Sequence, residues 1–185
     1  MQIPTIETER LTMRGFTPDD LDRLAEILSN AQVMHYMPGG QPLSREKAEA
    51  KLRFILKHWE EHGFGWWAVI HKAEAQLTGW CGLTYVDELS EIEVAYLFDR
   101  PYWGQGIGTE AAHASLRYGF EELNLDRIIA LAVPENVGSW RVMEKNGLTF
   151  ETRLHLWDLD LVKYSIDRDA FQPGDGVYRL HQTCR

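Results

Sequence analysis

Three glycines at alternate positions, Gly104, Gly106 and Gly108, sit in the stretch Tyr102-Trp103-Gly104-Gln105-Gly106-Ile107-Gly108-Thr109-Glu110-Ala111-Ala112. Upstream, residues 91–98 (Glu-Ile-Glu-Val-Ala-Tyr-Leu-Phe) read as a strand. Downstream, Gly108, Ala111, Ala112, Ser115 and Gly119 recur three and four apart, on one face of a helix predicted over 108–123. A strand that passes through a glycine-rich turn into a helix N-terminus makes an anion site. Glycine lets the backbone approach a ligand closely, the first-turn N–H groups have no partner inside the helix, and the helix dipole favours negative charge there. A phosphate-bearing ligand is the first expectation. The spelling is not G-x-G-x-x-G, because Thr109 stands where the third glycine is needed. Nor is it a P-loop, which ends in Gly-Lys-Ser/Thr.

The rest of the chain bounds what that ligand can be. Its 185 residues, 44% apolar and 25% charged, suit one domain with a real core. No repeat or linker divides it, and a loose tail is expected after residue 172. The first five residues lack the basic and apolar regions of a signal peptide, and no apolar run is long enough to span a bilayer. A cytoplasmic protein with no membrane partner is expected. Cys81 and Cys184 have neither metal-ligand spacing nor the density of a disulfide framework, and the seven histidines are scattered, so no metal is expected. The net charge of −9 argues against a nucleic-acid partner gripped by a broad basic face. It favours cationic molecules at long range, although solubility alone explains the same balance. A phosphate ligand must then be met by local backbone dipoles and a few placed cations.

Residues 9–14 alternate as a strand. Thr17 suits a helix cap and Pro18 a first helical position, ahead of an apolar face of Leu21, Leu24, Ile27 and Leu28. Residues 34–42 read as a loop, and Ser44 caps a second helix to about Glu61 with Leu52, Ile55, Leu56 and Trp59 as its stripe. Strands follow over 65–71, 77–85 and 91–98. After the glycine turn and its helix come a buried strand (127–133), a helix (136–146) capped by Asn136 and ended by Gly147, and a hairpin of 148–157 and 159–168. The order β-α-α-β-β-β-α-β-α-β-β is that of a mixed α/β domain.

A second segment narrows the phosphate reading. Pro134-Glu135-Asn136-Val137-Gly138-Ser139-Trp140-Arg141-Val142-Met143-Glu144-Lys145-Asn146-Gly147-Leu148 resembles the second motif of the GNAT acyltransferase superfamily, Asn-x-x-Ser followed by a short helix ending Glu-Lys-x-Gly. The glycine turn resembles that superfamily's pyrophosphate loop, in the spelling of its RimJ/RimL-like branch. Thr8-Glu9-Arg10-Leu11-Thr12-Met13-Arg14 and residues 161–171 resemble the same branch. The resemblance covers nearly the whole chain. It implies a central, mixed, mostly antiparallel sheet with helices on both faces and strands splayed at the CoA site. It implies acetyl-CoA as co-substrate and N-acetyl transfer to a primary amine, either a protein N-terminal α-amine or a small molecule. Monomer and homodimer both remain open.

The same resemblance assigns roles. Backbone N–H groups of Trp103, Gly104, Gln105, Gly106, Ile107, Gly108 and Thr109 would hold the pyrophosphate. The pantetheine arm would pair with backbone around Leu97 and Phe98, in the splay between strands 91–98 and 127–133. Asn136 would bind that arm, a role compatible with a plain helix cap, and Ser139 would lie near the thioester sulfur. Arg141 and Lys145, one turn apart, either offset the charge of CoA or are solvated surface charges. Many family members carry a tyrosine four residues before the glycine that ends this helix, read as the acid for the leaving thiolate; here Met143 stands there. In the branch resembled, the motif serine is the favoured substitute, which gives the role to Ser139.

For the base, Glu93 matches a glutamate of that branch's Glu-Ile-Gly-Tyr-like strand, with Glu135 as a further candidate. Period two puts Glu91 and Glu93 on one strand face and Tyr96 on the other. The bland alternative is that both glutamates face solvent. A backbone N–H of residues 96–98 would stabilise the developing oxyanion. The family's acceptor pocket lies between the loop 33–41 and the hairpin residues 153–163, which bring His35, Tyr36, Met37, His155 and Trp157 as candidate contacts.

Only a neutral amine attacks a thioester. A peptide α-amine, with a pKa near 8, is roughly a tenth neutral at pH 7, against about 0.04% for a lysine near 10.4. An α-amine thus needs little more than a water-linked proton acceptor. Transfer of a longer acyl chain and a non-catalytic CoA-binding module are the alternatives, the second made thinkable by the missing tyrosine. Ribosomal-protein N-termini, polyamines, amino acids and aminoglycoside-like drugs all remain open as acceptors.

Overall fold

In the computed structural model of the chain, residues 3–182 are described; Met1, Gln2 and Cys184 lie outside them. The strands are β1 (Thr5–Glu7), β2 (Leu11–Arg14), β3 (Trp66–His71), β4 (Gln76–Val86), β5 (Glu91–Phe98), β6 (Arg127–Ala132), β7 (Thr149–Leu156), β8 (Leu159–Asp167) and β9 (Arg179–His181). The helices are α1 (Leu21–Leu28), α2 (Ala31–Met34), α3 (Arg45–His62), α4 (Ile107–Glu121) and α5 (Val137–Lys145). Among the described residues the strands make a nine-stranded sheet in the order β7-β8-β6-β5-β4-β3-β2-β1-β9. Every neighbouring pair is antiparallel except β5 and β6, which run parallel.

The two faces of the sheet carry different helices. Trp66, Trp80 and Thr84 face α3, where the Lys51 ammonium lies 4.6 Å from the Trp66 ring centre and Thr84 Oγ1 meets His58 Nε2 at 3.3 Å. Trp67, Cys81 and Leu83 face α4. There Trp67 packs edge-on against Tyr118, and Cys81 Sγ lies 3.4 Å from Ser115 Oγ. The small-residue stripe of α4 explains this close approach: a Cβ on Gly119 would lie 2.6 Å from Ile128 and 3.0 Å from Leu83.

Several local readings hold in detail. Ser44 accepts from the Lys47 N–H at the start of α3, and α3 ends at Gly63, whose φ of +76° is the left-handed region. Others need correction. The start read at Thr17 and Pro18 holds as the cap and first position of a 3-10 turn, Pro18–Asp20, which runs on into α1 where a single helix was expected. The segment read as a loop from residue 34 is preceded by α2, whose four residues are too few to show a helical period. The expected loose tail after residue 172 instead sends β9 to the sheet edge, where Leu180 sits opposite the fully buried Ile6 of β1. Three residues carry too little alternation to be recognised from sequence.

Candidate active site

The site is built at the one parallel seam of the sheet. β5 and β6 register at Glu93↔Ile129, while both strands remain fully paired on their other edges, to β4 and β8. Beyond Glu93 the two strands part. Leu131, which would otherwise pair with β5, donates its N–H to Glu93 Oε1 at 3.3 Å. The glutamate side chain thus fills the start of the gap, and Glu93 is only 8% exposed. Burial pushes its carboxyl up to about 8, against the opposing effects of the Leu131 N–H and the Lys51 charge. Glu91, two residues earlier, belongs to an ion-pair cluster with Lys163 and Arg127. The two glutamates therefore part company, and neither is a simple solvated charge.

Two cavities open from this gap. One, of about 530 Å³, runs along Phe98, Trp103, Gly104, Gly106, Gly108 and Thr109 on one side and Asn136, Ser139, Arg141 and Lys145 on the other. The second, of about 500 Å³, is lined by Lys51, Phe54, Trp66, Trp80, Tyr85 and Trp157, and by the acids Asp87, Glu88 and Glu93. They share Tyr36, Met37, Tyr96, Leu97 and Ser139. At this junction the Ser139 hydroxyl donates to the Tyr96 oxygen at 3.2 Å, and the Tyr96 hydroxyl donates to the Ser139 carbonyl at 2.8 Å. Burial pushes the Tyr96 phenol up, so it stays protonated.

The glycine turn is held rigidly from outside. Gly104 and Gly106 have φ of +73° and +79°, values that favour glycine. The first helical bond after the turn runs from the Glu110 N–H to the Gly106 carbonyl, 3.0 Å, which leaves the N–H groups of residues 107–109 ahead of the ladder. Glu110 then fastens the turn to the N-terminal segment. It accepts from the Thr8 hydroxyl at 2.6 Å, the Arg10 N–H at 2.9 Å and Arg10 Nε at 2.6 Å. Arg10 Nη1 donates to the Gln105 carbonyl at 2.8 Å. Burial opposes ionisation of Glu110, but these bonds hold its carboxyl below the usual range. From the other side, the Asn146 side chain donates to the Thr109 carbonyl at 3.3 Å.

The family profile described as "Acetyltransferase (GNAT) domain" matches residues 10–149. The chain belongs to the GNAT acetyltransferase family. The uncharacterized N-acetyltransferase YnaD of Bacillus subtilis is 34% identical to it over 146 residues, 79% of this chain and 83% of that one. The putative ribosomal N-acetyltransferase YdaF of Bacillus subtilis is 29% identical over 85% of this chain and 91% of its own. A GNAT-family acetyltransferase structure from Bacillus anthracis superposes with a TM-score of 0.78 at 30% identity, covering 89% of this chain and 99% of that chain. The protein is thus an acyl-CoA-dependent acetyltransferase.

On this GNAT scaffold the residues singled out from sequence fall into four groups. Leu97, Phe98, Trp103, Gly104, Gly106, Gly108, Thr109, Glu135, Asn136, Ser139, Arg141 and Lys145 all line the glycine-turn groove. Trp103 also donates its indole N–H to the Phe98 carbonyl at 2.7 Å, and Asn136 caps α5 by accepting from the Ser139 N–H at 3.2 Å. Gln105 and Ile107 do not line the groove. The Gln105 side chain turns back to the Pro101 carbonyl at 2.6 Å, and the Ile107 side chain is buried in the core. Tyr36, Met37, Glu93 and Trp157 line the second cavity. His35 and His155 line neither cavity. α2 buries Val33 and Met34 and leaves His35 exposed, edge-on to Tyr36, while His155 is exposed and bonded to Asp160.

Two residues went unread in the sequence. Tyr96 obeys the expected alternation with Glu93, yet both reach the site because the gap passes through the sheet. Lys51 looks like an ordinary polar position on α3; only its three- and four-residue spacing from Phe54 and Ile55 hints that it shares their side of the helix. Met143, which takes the place of the family's tyrosine, is 2% exposed and packs in the core. Among the described residues no cluster of three or more metal-ligating side chains occurs, and no helix is long and apolar enough to cross a membrane.

Proposed function

We propose that the protein moves an acetyl group from acetyl-CoA to a primary amine, on a protein N-terminus or a small molecule, by direct attack in a ternary complex. The observation that supports this most is the meeting of two cavities at Tyr96, Leu97 and Ser139, beside the Glu93 carboxyl. Acetyl-CoA supplies an activated acetyl group as a thioester. The residues present suit it: the N–H groups of residues 107–109 and the left-handed Gly104 and Gly106 form a cradle for a diphosphate. Arg141 and Lys145 on the facing wall offset its charge, and the backbone around Leu97 and Phe98, with Asn136, flanks the arm. A strand N–H at residues 96–98 stabilises charge developing on the carbonyl oxygen.

Glu93 accepts the proton of the attacking amine. With its carboxyl near pH 8, it becomes a carboxylate in the same range in which an α-amine becomes neutral. A leaving thiolate whose thiol has a pKa of about 8.5 needs a hydrogen-bond donor more than a strong acid. The Ser139 hydroxyl, turning from the Tyr96 oxygen to the sulfur, meets that need where Met143 stands in place of the family's tyrosine, and Tyr96 positions it. Cys81 is no rival nucleophile: burial pushes its thiol up to about 12, and Ser115 occupies it.

The test is CoA thiol release from acetyl-CoA across a panel of amines. Amine-dependent release is expected, with one N-acetyl product per thiol and intersecting initial-rate lines. Parallel lines with trapped acetyl-protein would overturn direct attack, and binding of acetyl-CoA without turnover on any amine would overturn amine acetylation itself. Arg10→Ala, which unfastens the glycine turn from outside the groove, is expected to raise the KM for acetyl-CoA by about tenfold, with a smaller change in kcat. Steady-state kinetics with the acceptor saturating reads this.

A further inference from the structure

The second cavity carries one lysine and no arginine in its lining. Lys51 projects from α3 so that its ammonium lies 4.6 Å from the ring centre of Trp66, 5.3 Å from Phe54 and 6.0 Å from Trp80. Among the described residues no hydrogen bond or ion pair reaches it; burial pulls it down, and only the more distant Glu93 charge opposes that. An ammonium withdrawn from water without an anion is costly. Two further donors in the same wall also lack acceptors: the buried Nε1 groups of Trp66 and Trp80, whose rings stack at 4.1 Å. The two indole N–H groups are closed off from solvent, so of these three groups it is the Lys51 ammonium that a ligand in the cavity can reach. Around them Phe54, Tyr85 and Trp157 stay 48%, 37% and 40% exposed, unusual for large aromatic side chains.

Three acids, Asp87, Glu88 and Glu93, line the same cavity, so Lys51 is a single cation in an otherwise acidic wall. Glu88 accepts from the Trp157 indole at 2.8 Å, and Glu93 is held at the gap by the Leu131 N–H. A polycation entering the cavity would nevertheless have to place a second ammonium close to Lys51.

We propose that the acceptor is an amino-acid-like molecule, a primary amine that also carries a carboxylate. Lys51 binds the carboxylate, and the rim of Phe54, Tyr85 and Trp157 holds an apolar or aromatic body. The amine is thereby directed inward to Glu93. This rests on the amine-acetylation reading above and narrows its acceptor.

The experiment compares matched sets: phenylalanine, tryptophan and methionine, each with its carboxamide and its decarboxylated amine, plus spermidine. Thiol release is measured with acetyl-CoA saturating, and acceptor binding to the CoA-saturated protein is measured by calorimetry. For at least one set, the free carboxylate is expected to improve kcat/KM by at least about tenfold over both analogues. Lys51→Met is expected to erase that preference through KM, and Lys51→Arg to restore much of it. Spermidine, or the decarboxylated amines, turned over as well as the amino acids would overturn the proposal. So would equal losses on all acceptors in Lys51→Met. Carboxylate-dependent binding without turnover would keep the anion site and remove amine acetylation instead; neither binding nor turnover of any amino acid would remove the site.

Discussion

Glu93→Gln is expected to lower kcat by about 10²–10⁴-fold, the range by which a positioned general base accelerates proton transfer. The KM for acetyl-CoA should change little, because Glu93 lines the second cavity and not the glycine-turn groove. The pH dependence carries the sharper sign. In the wild-type protein, the rate should rise with pH and level off above about 8, as the buried carboxyl loses its proton. An ordinary amine titrates in the same range, so the profile is best measured with trifluoroethylamine, which stays neutral throughout. The variant should lose the limb. A Glu93→Gln protein that keeps both rate and limb would remove the assignment. Stability offers an independent reading. A carboxyl raised in the folded state contributes stability below its unfolded value, and that contribution is lost as pH rises through the folded value near 8. Glu93→Gln lacks this loss, so in chemical denaturation its stability relative to the wild type should be higher at pH 9 than at pH 5.

The second large effect belongs to the hydroxyl pair. Tyr96→Phe and Ser139→Ala are each expected to slow turnover by about 10- to 100-fold at saturating acetyl-CoA. The two hydroxyls bond each other, at 3.2 Å, so the double variant should be little worse than either single one. Additive losses would mean that the two act separately. Loss of the Tyr96 hydroxyl also removes its bond to the Ser139 carbonyl, a tether between β5 and α5. The KM for acetyl-CoA and the far-ultraviolet circular dichroism must therefore be read alongside. A fall in kcat with both intact isolates the chemical role.

The glycine turn and its groove were legible in the sequence because local rules write them. Asn136 announces a cap and small residues on α4 announce a close sheet contact, and both appear in the structure as read; the glycines announce a permissive backbone, and the structure adds that Gly104 and Gly106 are left-handed. The N-terminal Thr8–Arg10 segment was legible as a motif but not as a mechanism. Its purpose, fastening Glu110 and Gln105, joins residues about a hundred positions apart. The second cavity was hidden for the same reason. Lys51 is one lysine among several on a polar helix until α3 lays it over Trp66, and Tyr96 sits on the opposite strand face from Glu93 until β5 and β6 part. His35 and His155 drew notice as loop imidazoles, yet which loop residues turn inward is decided by a four-residue helix and a hairpin bond that composition does not encode.

The most direct measurement is the position of the sulfur in a crystal structure with CoA bound. It is predicted to lie where the two cavities meet, within hydrogen-bonding reach of the Tyr96 and Ser139 hydroxyls and facing the Glu93 side of the gap. The diphosphate should rest on the N–H groups of residues 107–109. A thiol that ends away from Tyr96 and Ser139, or a diphosphate bound elsewhere than the glycine turn, would contradict attack at this junction.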